Sequence, residues 1–532
     1  METSEPPYYL MSEFDESSQG SAKDRTLLFQ TPGELDIFLR RLYIYFDRKG
    51  FYCIVLSSLV NCLIMSLIIF FLLVLGAFLD TSVLFSSQDL TSAFVWDVSR
   101  ISPLLWVITS VFGVFLCWQI IASLREIWDM FEISQIYTSD LKIPDSQLPF
   151  LEWSEILQRL SSLDKYRPIS EELQNPLSVT LRILRKENYL IALFNQDLLQ
   201  MNLPWTQFIF YTKVLEWTLE YSLWSFLFDE NFQIRHSIVY STKESRLSLV
   251  KILKKRLFIF GLFNLILSPF IFLYLVIYTF FRYGEEIRAQ PSYLASRSWT
   301  RHALWKFREF NELPHIFRRR IAKSLEPSRS YLAQFSSPLL SIGAKLFLFM
   351  SSSGVAFLLV LGCIDSNLFL SGTFFGQTFL WYIGILGIAV AVFKSFIPDE
   401  SFVPDPAKHL SEVLREIHYS PEEWLNNPSS PFTLAEFKSL FRLNVIIFLQ
   451  ELISVLLVPF ILMGSISNCL DDLLLFFSQH TQDHPKLGHI CDLANFQHLP
   501  AHDSTYHNKL QHSILTFRKA YPSYELSNTS LV

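Results

Sequence analysis

YCIVLSSLVNCLIMSLIIFFLLVLGAFL, from Tyr52 to Leu79, runs for 28 residues without a charge. A helix needs ~20 apolar residues to cross ~30 Å of hydrocarbon, so this stretch alone puts the chain in a membrane. Three more runs meet the same standard: Ile101 to Leu124, Leu346 to Ile364 and Phe374 to Phe393. Composition agrees, since half of the 532 residues are hydrophobic, only 18% are charged, and Phe alone fills 50 positions. Soluble chains carry about 25% charged residues, and disorder needs more charge than this. A net charge of −6 excludes the basic footprint of a nucleic-acid binder.

Two further apolar runs differ in kind. Leu257 to Phe281 is interrupted by Ser268-Pro269, and Asn444 to Met463 contains Pro459 and carries Glu451. NLILSPFIF (Asn264 to Phe272) and SVLLVPFIL (Ser454 to Leu462) share Pro-Phe-Ile inside the run. Proline removes a helix hydrogen bond and clashes with the preceding turn. Each run is therefore either a re-entrant helix broken at Pro269 or Pro459, or a proline-kinked span.

Charge placement separates the two. Residues 282–345 hold twelve Lys/Arg against five Asp/Glu, whereas 80–100 contain one basic residue and 365–373 none. Six spans would put the basic stretch on the lumenal side, against the positive-inside rule. Four spans with two re-entrant helices keep it cytosolic, together with both termini. The expected order is a disordered cytosolic tail (1–33), a cytosolic helix (34–51), a first span (52–79), a lumenal loop (80–100) and a second span (101–124). A cytosolic helical region (125–256), the first re-entrant helix (257–281) and the basic cytosolic region (282–345) follow. The third span (346–364), a lumenal loop (365–373), the fourth span (374–393), cytosolic helices (394–443), the second re-entrant helix (444–463) and a cytosolic C-terminal region (464–532) complete it. The fold class is an all-α integral membrane protein.

Lys213, Glu216 and Glu220 share one stripe of an apolar helix expected between Pro204 and Phe228, which lies in the interface or packs on a partner helix. No phosphate-binding loop, dinucleotide turn, zinc motif or nucleophile elbow occurs, so neither a cofactor nor ATP-driven transport is expected. The six cysteines form no Cys-x-x-Cys pair, and the seven histidines between His480 and His512 read as a solvated tail rather than a metal site. A mid-bilayer carboxylate costs about 3 kcal/mol, so Glu451 should face protein or water. Arg282, Glu285 and Arg288 form a mixed-charge cluster just after the first re-entrant run. That cluster suits either a lipid headgroup or an interfacial anchor. Lys394 flanks the fourth span. Tyr8 and Met11 fit a Tyr-x-x-bulky sorting pattern.

Six motifs in register resemble the autophagy-related protein nine family: ELDIFLRRLYIYFDRKGFYCI (Glu34 to Ile54), ENYLIALFNQDLL (Glu187 to Leu199), WKFREFNELPHIF (Trp305 to Phe317), KSFIPDE (Lys394 to Glu400), HYSPEEW (His418 to Trp424) and FLQELISVLLVPFIL (Phe448 to Leu462). The resemblance implies four spanning and two re-entrant helices per subunit in a domain-swapped homotrimer. It also implies passive, ATP-independent scrambling of phospholipids during autophagosome expansion, with no enzyme chemistry. The implied partner is the lipid-transfer autophagy-related protein two, and the implied compartments are the preautophagosomal structure, cytoplasmic vesicles, Golgi, endosome and endoplasmic reticulum. Broken helices with polar lining would let a headgroup pass while its tails stay in lipid, with Arg282, Glu285, Arg288, Lys394 and Glu451 as candidate lining. A non-enzymatic scaffold that recruits autophagy factors, using Arg318, Arg319 and Arg320, is the alternative. An ion channel or secondary transporter is the third class.

Overall fold

Two left-handed residues turn the chain from its first helix toward the membrane. Helix α1 (Pro32–Asp47) ends at Lys49 and Gly50, whose φ values are 64° and 100°. A Cβ at Gly50 would also come within 2.5 Å of the Asp145 side chain. That carboxylate accepts from the Phe51 N–H at 2.9 Å and the Tyr45 hydroxyl at 2.6 Å, satisfying a first-turn donor of the next helix. The computed structural model describes residues 32–80, 83, 94, 95, 97–199, 201, 202, 209–289, 296–335, 338–364, 372–394, 396, 397, 405–496 and 507–522. Tyr8 and Met11 lie outside them.

Helix α2 (Phe51–Leu73) continues as a π turn to Phe78 and returns as α3 (Pro103–Gln135). They pack antiparallel, with Phe51 on Phe131 at one end and Gly76 against Leu105 at the other. Arg48 reaches Glu126 at 2.5 Å where both helices join a larger helical body. That body is built from α1, α4 (Pro176–Ile183), α5 (Arg185–Asn195), α6 (Lys213–Leu219) and the first turns of α7 (Lys243–Ala289). Residues Leu215, Leu219, Leu223 and Leu227 are all buried, so the apolar helix around Lys213 packs into the body and does not lie in the interface.

The two breaks expected at Pro269 and Pro459 do not occur there. Helix α7 runs 47 residues straight through Pro269. The proline leaves the Leu265 carbonyl without its N–H donor, and the Ser268 hydroxyl donates to that carbonyl at 2.8 Å instead. Beyond it, Tyr274 meets Phe112 and Phe281 stacks on Phe71, so α7 lies along α2 and α3. Helix α14, defined below, likewise continues past Pro459, and the chain departs from α geometry only at a π turn, Leu462–Ile466.

Strand β1 (Arg297–Trp299) follows, then α8 (Arg301–Phe307), α9 (Pro314–Ala333) and the hairpin of α10 (Pro338–Ile364) and α11 (Phe379–Lys394). Strands β2 (Thr373–Phe374) and β3 (Gln377–Thr378) pair before α11, so the fourth apolar helix starts later than expected and holds 16 residues. Among the described residues five helices are long and apolar enough to cross a membrane: those within Phe51–Phe78, Pro103–Asp140, Lys243–Phe281, Leu339–Ile364 and Asn444–Ile466. Helices α12 (Pro406–Ile417) and α13 (Pro431–Leu440) lead to β4 (Phe441–Leu443), which pairs antiparallel with β1 and runs directly into α14 (Asn444–Ile461). Helix α15 (Leu470–Gln479), the hairpin β5 (Thr481–His484) with β6 (Gly488–Cys491), and α16 (His507–Ala520) close the chain.

The described part of the histidine-rich segment is not a solvated tail. His489 is buried in the β5–β6 hairpin, bonded to the Ile234 carbonyl at 2.8 Å and edge-on to His236. Arg320, expected on an exposed basic surface, is buried on Glu312 at 2.7 Å. Among the described residues no group of side chains could hold a metal ion, and all six cysteines are free.

The body is tied together by buried charge. Asp36 on α1 accepts from Arg182 at 2.6 Å and pairs with Arg185 at 2.8 Å. The two guanidiniums donate on to the Lys486 and Leu487 carbonyls of the β5–β6 turn. Removing one partner of such a buried pair leaves unpaired charge, at a cost of about 3–5 kcal/mol. Asp36→Ala is therefore expected to lower the melting midpoint of the detergent-solubilised protein by several degrees and to broaden its gel-filtration peak. Asp36→Asn, which keeps one acceptor, should lose less; equal melting of both variants and the parent would rule the network out as a structural tie.

Candidate functional site

Glu451 sits where the membrane-facing helix α14 meets the body. The first turn of α6 has an orphan N–H at Lys213, and both Glu451 carboxylate oxygens accept from it, at 3.1 and 3.0 Å. Thr212 supplies the side-chain cap of the same helix. Arg301 on α8 spans two carboxylates, with its Nε 3.4 Å from Glu451 and its Nη1 donating to Glu216 at 3.0 Å. The stripe of Lys213, Glu216 and Glu220 thus ends on protein partners, since Glu220 also pairs with Lys186.

Beside this junction lies a cavity of about 200 Å³. Its wall is built from α8 (Arg301, His302, Lys306), from α13 and β4 (Glu436, Ser439, Arg442), from Tyr211 and Tyr419, and from Ile447, Gln450 and Glu451 of α14. Arg442 donates to Gln450 at 2.9 Å, and Gln450 donates to the Ile209 carbonyl at 2.9 Å. Lys306 pairs with the exposed Asp197 at 3.0 Å. Glu436 accepts from the Trp424 indole at 2.7 Å. His302 is only 7% exposed, its ring lies against Phe194, and its Nδ1 has no hydrogen-bond partner. Burial first, and then the neighbouring Lys306 charge, hold its pKa down at about 4, so it is neutral at pH 7.

The other face of α14 is apolar and open. Ile446, Leu449, Ile453, Leu456 and Phe460 are each close to half exposed, at spacings of three and four that trace one stripe. One helix therefore divides an apolar exterior from a charged interior.

Of the two residues expected to line a lipid path whose side chains are described, Lys394 and Glu451, Glu451 lines this cavity. Lys394 ends α11 in an exposed position. Arg282, Glu285 and Arg288 lie on the last turns of α7, and their side chains fall outside the described residues. Arg301, His302, Arg442 and Gln450 were not singled out from sequence. The usable signal is in FRLNVIIFLQELI (Phe441 to Ile453), where Glu451 falls one helical turn after Ile447 and opposes the apolar stripe, with Gln450 at its edge.

The fold and the site define a multi-pass helical membrane protein in which a membrane helix backs onto a polar cavity. The chain belongs to the autophagy protein ATG9 family, whose profile matches residues 29–497. It is 33% identical to autophagy-related protein 9 of Dictyostelium discoideum across 96% of this chain and 76% of that one. Against the Arabidopsis thaliana protein of the same name identity is 30%, over 96% of this chain and 64% of the relative. The chain thus spans 64% to 76% of these two relatives' lengths. The cryo-EM structure of Schizosaccharomyces pombe Atg9 superposes with a TM-score of 0.67 at 30% identity, covering 88% of this chain and all of that one.

His302 gives the site a pH signature. The unfolded chain binds its proton near pH 6.5 and the folded chain only near 4. Between those values the unfolded state takes up more protons, so stability is whole above about 6.5 and falls as pH drops through the window. The loss between pH 7 and pH 5 should be on the order of 1–2 kcal/mol. Thermal melts across pH should therefore slope down toward acid, and His302→Gln should flatten part of that slope. His315, held near 4 by burial and by Lys49, Arg319 and Arg318, should carry a remainder. An unchanged slope in His302→Gln would refute the assignment.

Proposed function

We propose that the chain is a passive phospholipid scramblase of autophagosome precursor vesicles, redistributing lipid between leaflets without ATP. The observation that carries this reading is α14, which presents an apolar stripe outward and a charged cavity inward. The barrier to flip-flop is moving a polar headgroup through hydrocarbon, and a polar seat beside a lipid-facing helix lowers it while tails remain in lipid. No bond is made or broken, so the chain is not an enzyme in this reading.

Topology supports it. Leu253 and Leu257 at the start of α7 lie in the same body as His302 and Trp305, which follow it, because Phe194 contacts both rings. Phe441 before α14 lies in a second core cluster with Trp299 and Phe307, which α8 joins to the body, and Leu470 after α14 lies in the body itself. Excursions that leave and return on one side make no net crossing. Four spans and cytosolic termini are the arrangement we adopt, in a homotrimer, with α7 and α14 making no net crossing although neither is broken at its proline. Helix α11 has no buried residue and packs chiefly on α10, through Phe347 and Phe393, which leaves the hairpin free to lie against a neighbouring subunit. Lipid would be supplied from the cytosolic side by the lipid-transfer autophagy-related protein two, on vesicles moving among Golgi, endosomes and endoplasmic reticulum.

A scaffold role has its own observation. Arg318, Arg319 and Lys323 are exposed on α9, with Arg318 paired to Asp47, and they form a basic face for recruitment. Arg320 is excluded from it by burial on Glu312. Charge reversal at Arg318 and Arg319 should abolish recruitment and leave scrambling intact.

Reconstitution tests the activity directly. Liposomes containing the protein and a fluorescent phospholipid should lose nearly all fluorescence to an impermeant quencher, whereas quenching that stalls at the outer-leaflet fraction would sink the scramblase reading. Ser298 is unsuited to topology labelling because it is held in the β1–β4 pair and bonded to Asn444. Exposed Ala322 on α9 is the better site. Ala322→Cys should react with impermeant maleimide from the cytosolic side of sealed vesicles, and Ser87→Cys only after detergent. Protection of both would overturn the four-span topology.

A further inference from the structure

The cavity behind α14 carries charge of both signs in a space too small for a whole lipid. Arg301, Lys306 and Arg442 face it with Glu436 and Glu451. At about 30 Å³ per water, its volume of about 200 Å³ holds only a handful of waters, the scale of one headgroup. A simple anion seated there would meet two carboxylates, and a simple cation three basic groups. A ligand with a phosphate and an ammonium group satisfies both sets.

Two further features point to a ligand. The buried, neutral His302 has an Nδ1 without a partner and forms part of this wall. Lys306 is held chiefly by Asp197, whose carboxylate is 60% exposed, so that pair is held at the rim and is weakly committed. Only the width of one helix, about 10 Å, separates the cavity from the stripe of Ile446, Leu449 and Ile453.

We propose that this cavity seats the zwitterionic headgroup of a phospholipid, its phosphate on Arg301, Lys306 and Arg442 and its ammonium toward Glu436 and the Tyr419 ring. The acyl chains lie on the outer stripe of α14. Guanidinium groups match phosphate geometry, and an ammonium gains from a carboxylate and an aromatic face. Headgroups with a net negative charge are disfavoured, because Glu436 and Glu451 then face an anion with no ammonium to offset them. The assignment rests on the lipid-handling reading above and adds to it a residue-level seat and a selectivity.

The test is native mass spectrometry of the delipidated full chain in detergent, titrated separately with phosphatidylethanolamine, phosphatidylglycerol, phosphoethanolamine and inorganic phosphate. One phosphatidylethanolamine per subunit should bind about tenfold more tightly than phosphatidylglycerol, a gap of about 1.4 kcal/mol. Arg442→Gln should weaken it several-fold, and Glu436→Gln should narrow the gap between the two lipids. Ser439→Trp, at an exposed position on the cavity wall, should block binding while leaving the melting midpoint unchanged. Equal affinity for both lipids, or binding unaffected by both Arg442→Gln and Ser439→Trp, would overturn the seat. So would occupancy by inorganic phosphate alone. Scrambling measured on the same preparations keeps the two claims apart. Selective binding without scrambling would remove the proposed function and leave the seat, and scrambling with no selective binding would do the reverse.

Discussion

The Asp36 carboxylate and the two guanidiniums of Arg182 and Arg185 form the tie on which the rest of the body depends. All three groups are buried, and removing one of them would leave unpaired charge in the body. Asp36 belongs to the helix that delivers the chain to its first membrane run. The arginines belong to the centre of the body and also hold the β5–β6 turn through main-chain carbonyls. Three segments, the first and last of them about 450 positions apart, are thereby locked at one point. The register of α1 against the body fixes where Gly50 and Asp145 launch α2, and so where the membrane helices stand.

Polar groups at the membrane face follow the same economy. Ser268 replaces the donor that Pro269 lacks, so α7 stays helical through apolar surroundings. Glu451 meets an N–H and a guanidinium rather than lipid, and in doing so holds α14, α6 and α8 together. The cavity beside it lies where α14 and α8 meet α13 and β4, and the charged side chains that line it also make structural pairs. Structure and candidate function therefore share residues. Arg301 both braces Glu216 against Glu451 and presents a cation to the cavity.

Much of this was legible beforehand. The long apolar runs follow from hydropathy alone, because no soluble environment tolerates them. The family motifs contain the residues that later carry the body: Asp36 in the first, Asn188 in the second, and Asn311 in the third, whose N–H bonds back to Asn188. Other readings failed for identifiable reasons. Pro269 looked like a break because proline's cost is local, whereas the hydroxyl that offsets it sits one residue earlier and had no visible role. The histidines near the C-terminus looked solvated because they are polar and lack an apolar period. In the fold, His489 is buried by a hairpin whose partner wall comes from residues near 234. Arg320 looked like its exposed neighbours Arg318 and Arg319 until α9 was seen to turn that position onto Glu312.

By itself the sequence determined that this chain is a helical membrane protein of one family, since hydrocarbon-length apolar runs and ordered motifs survive without knowledge of contacts. It also determined that Glu451 must be sheltered, because the cost of a carboxylate in lipid does not depend on the fold. Only the tertiary structure decided what shelters it. The Lys213 N–H and Arg301 come from segments 238 and 150 positions away, and periodicity along one helix carries no information about them. The same is true of the cavity. Its wall is assembled from four stretches of chain whose side chains meet only when the body closes, and long-range packing of that kind is invisible to any reading made along the chain.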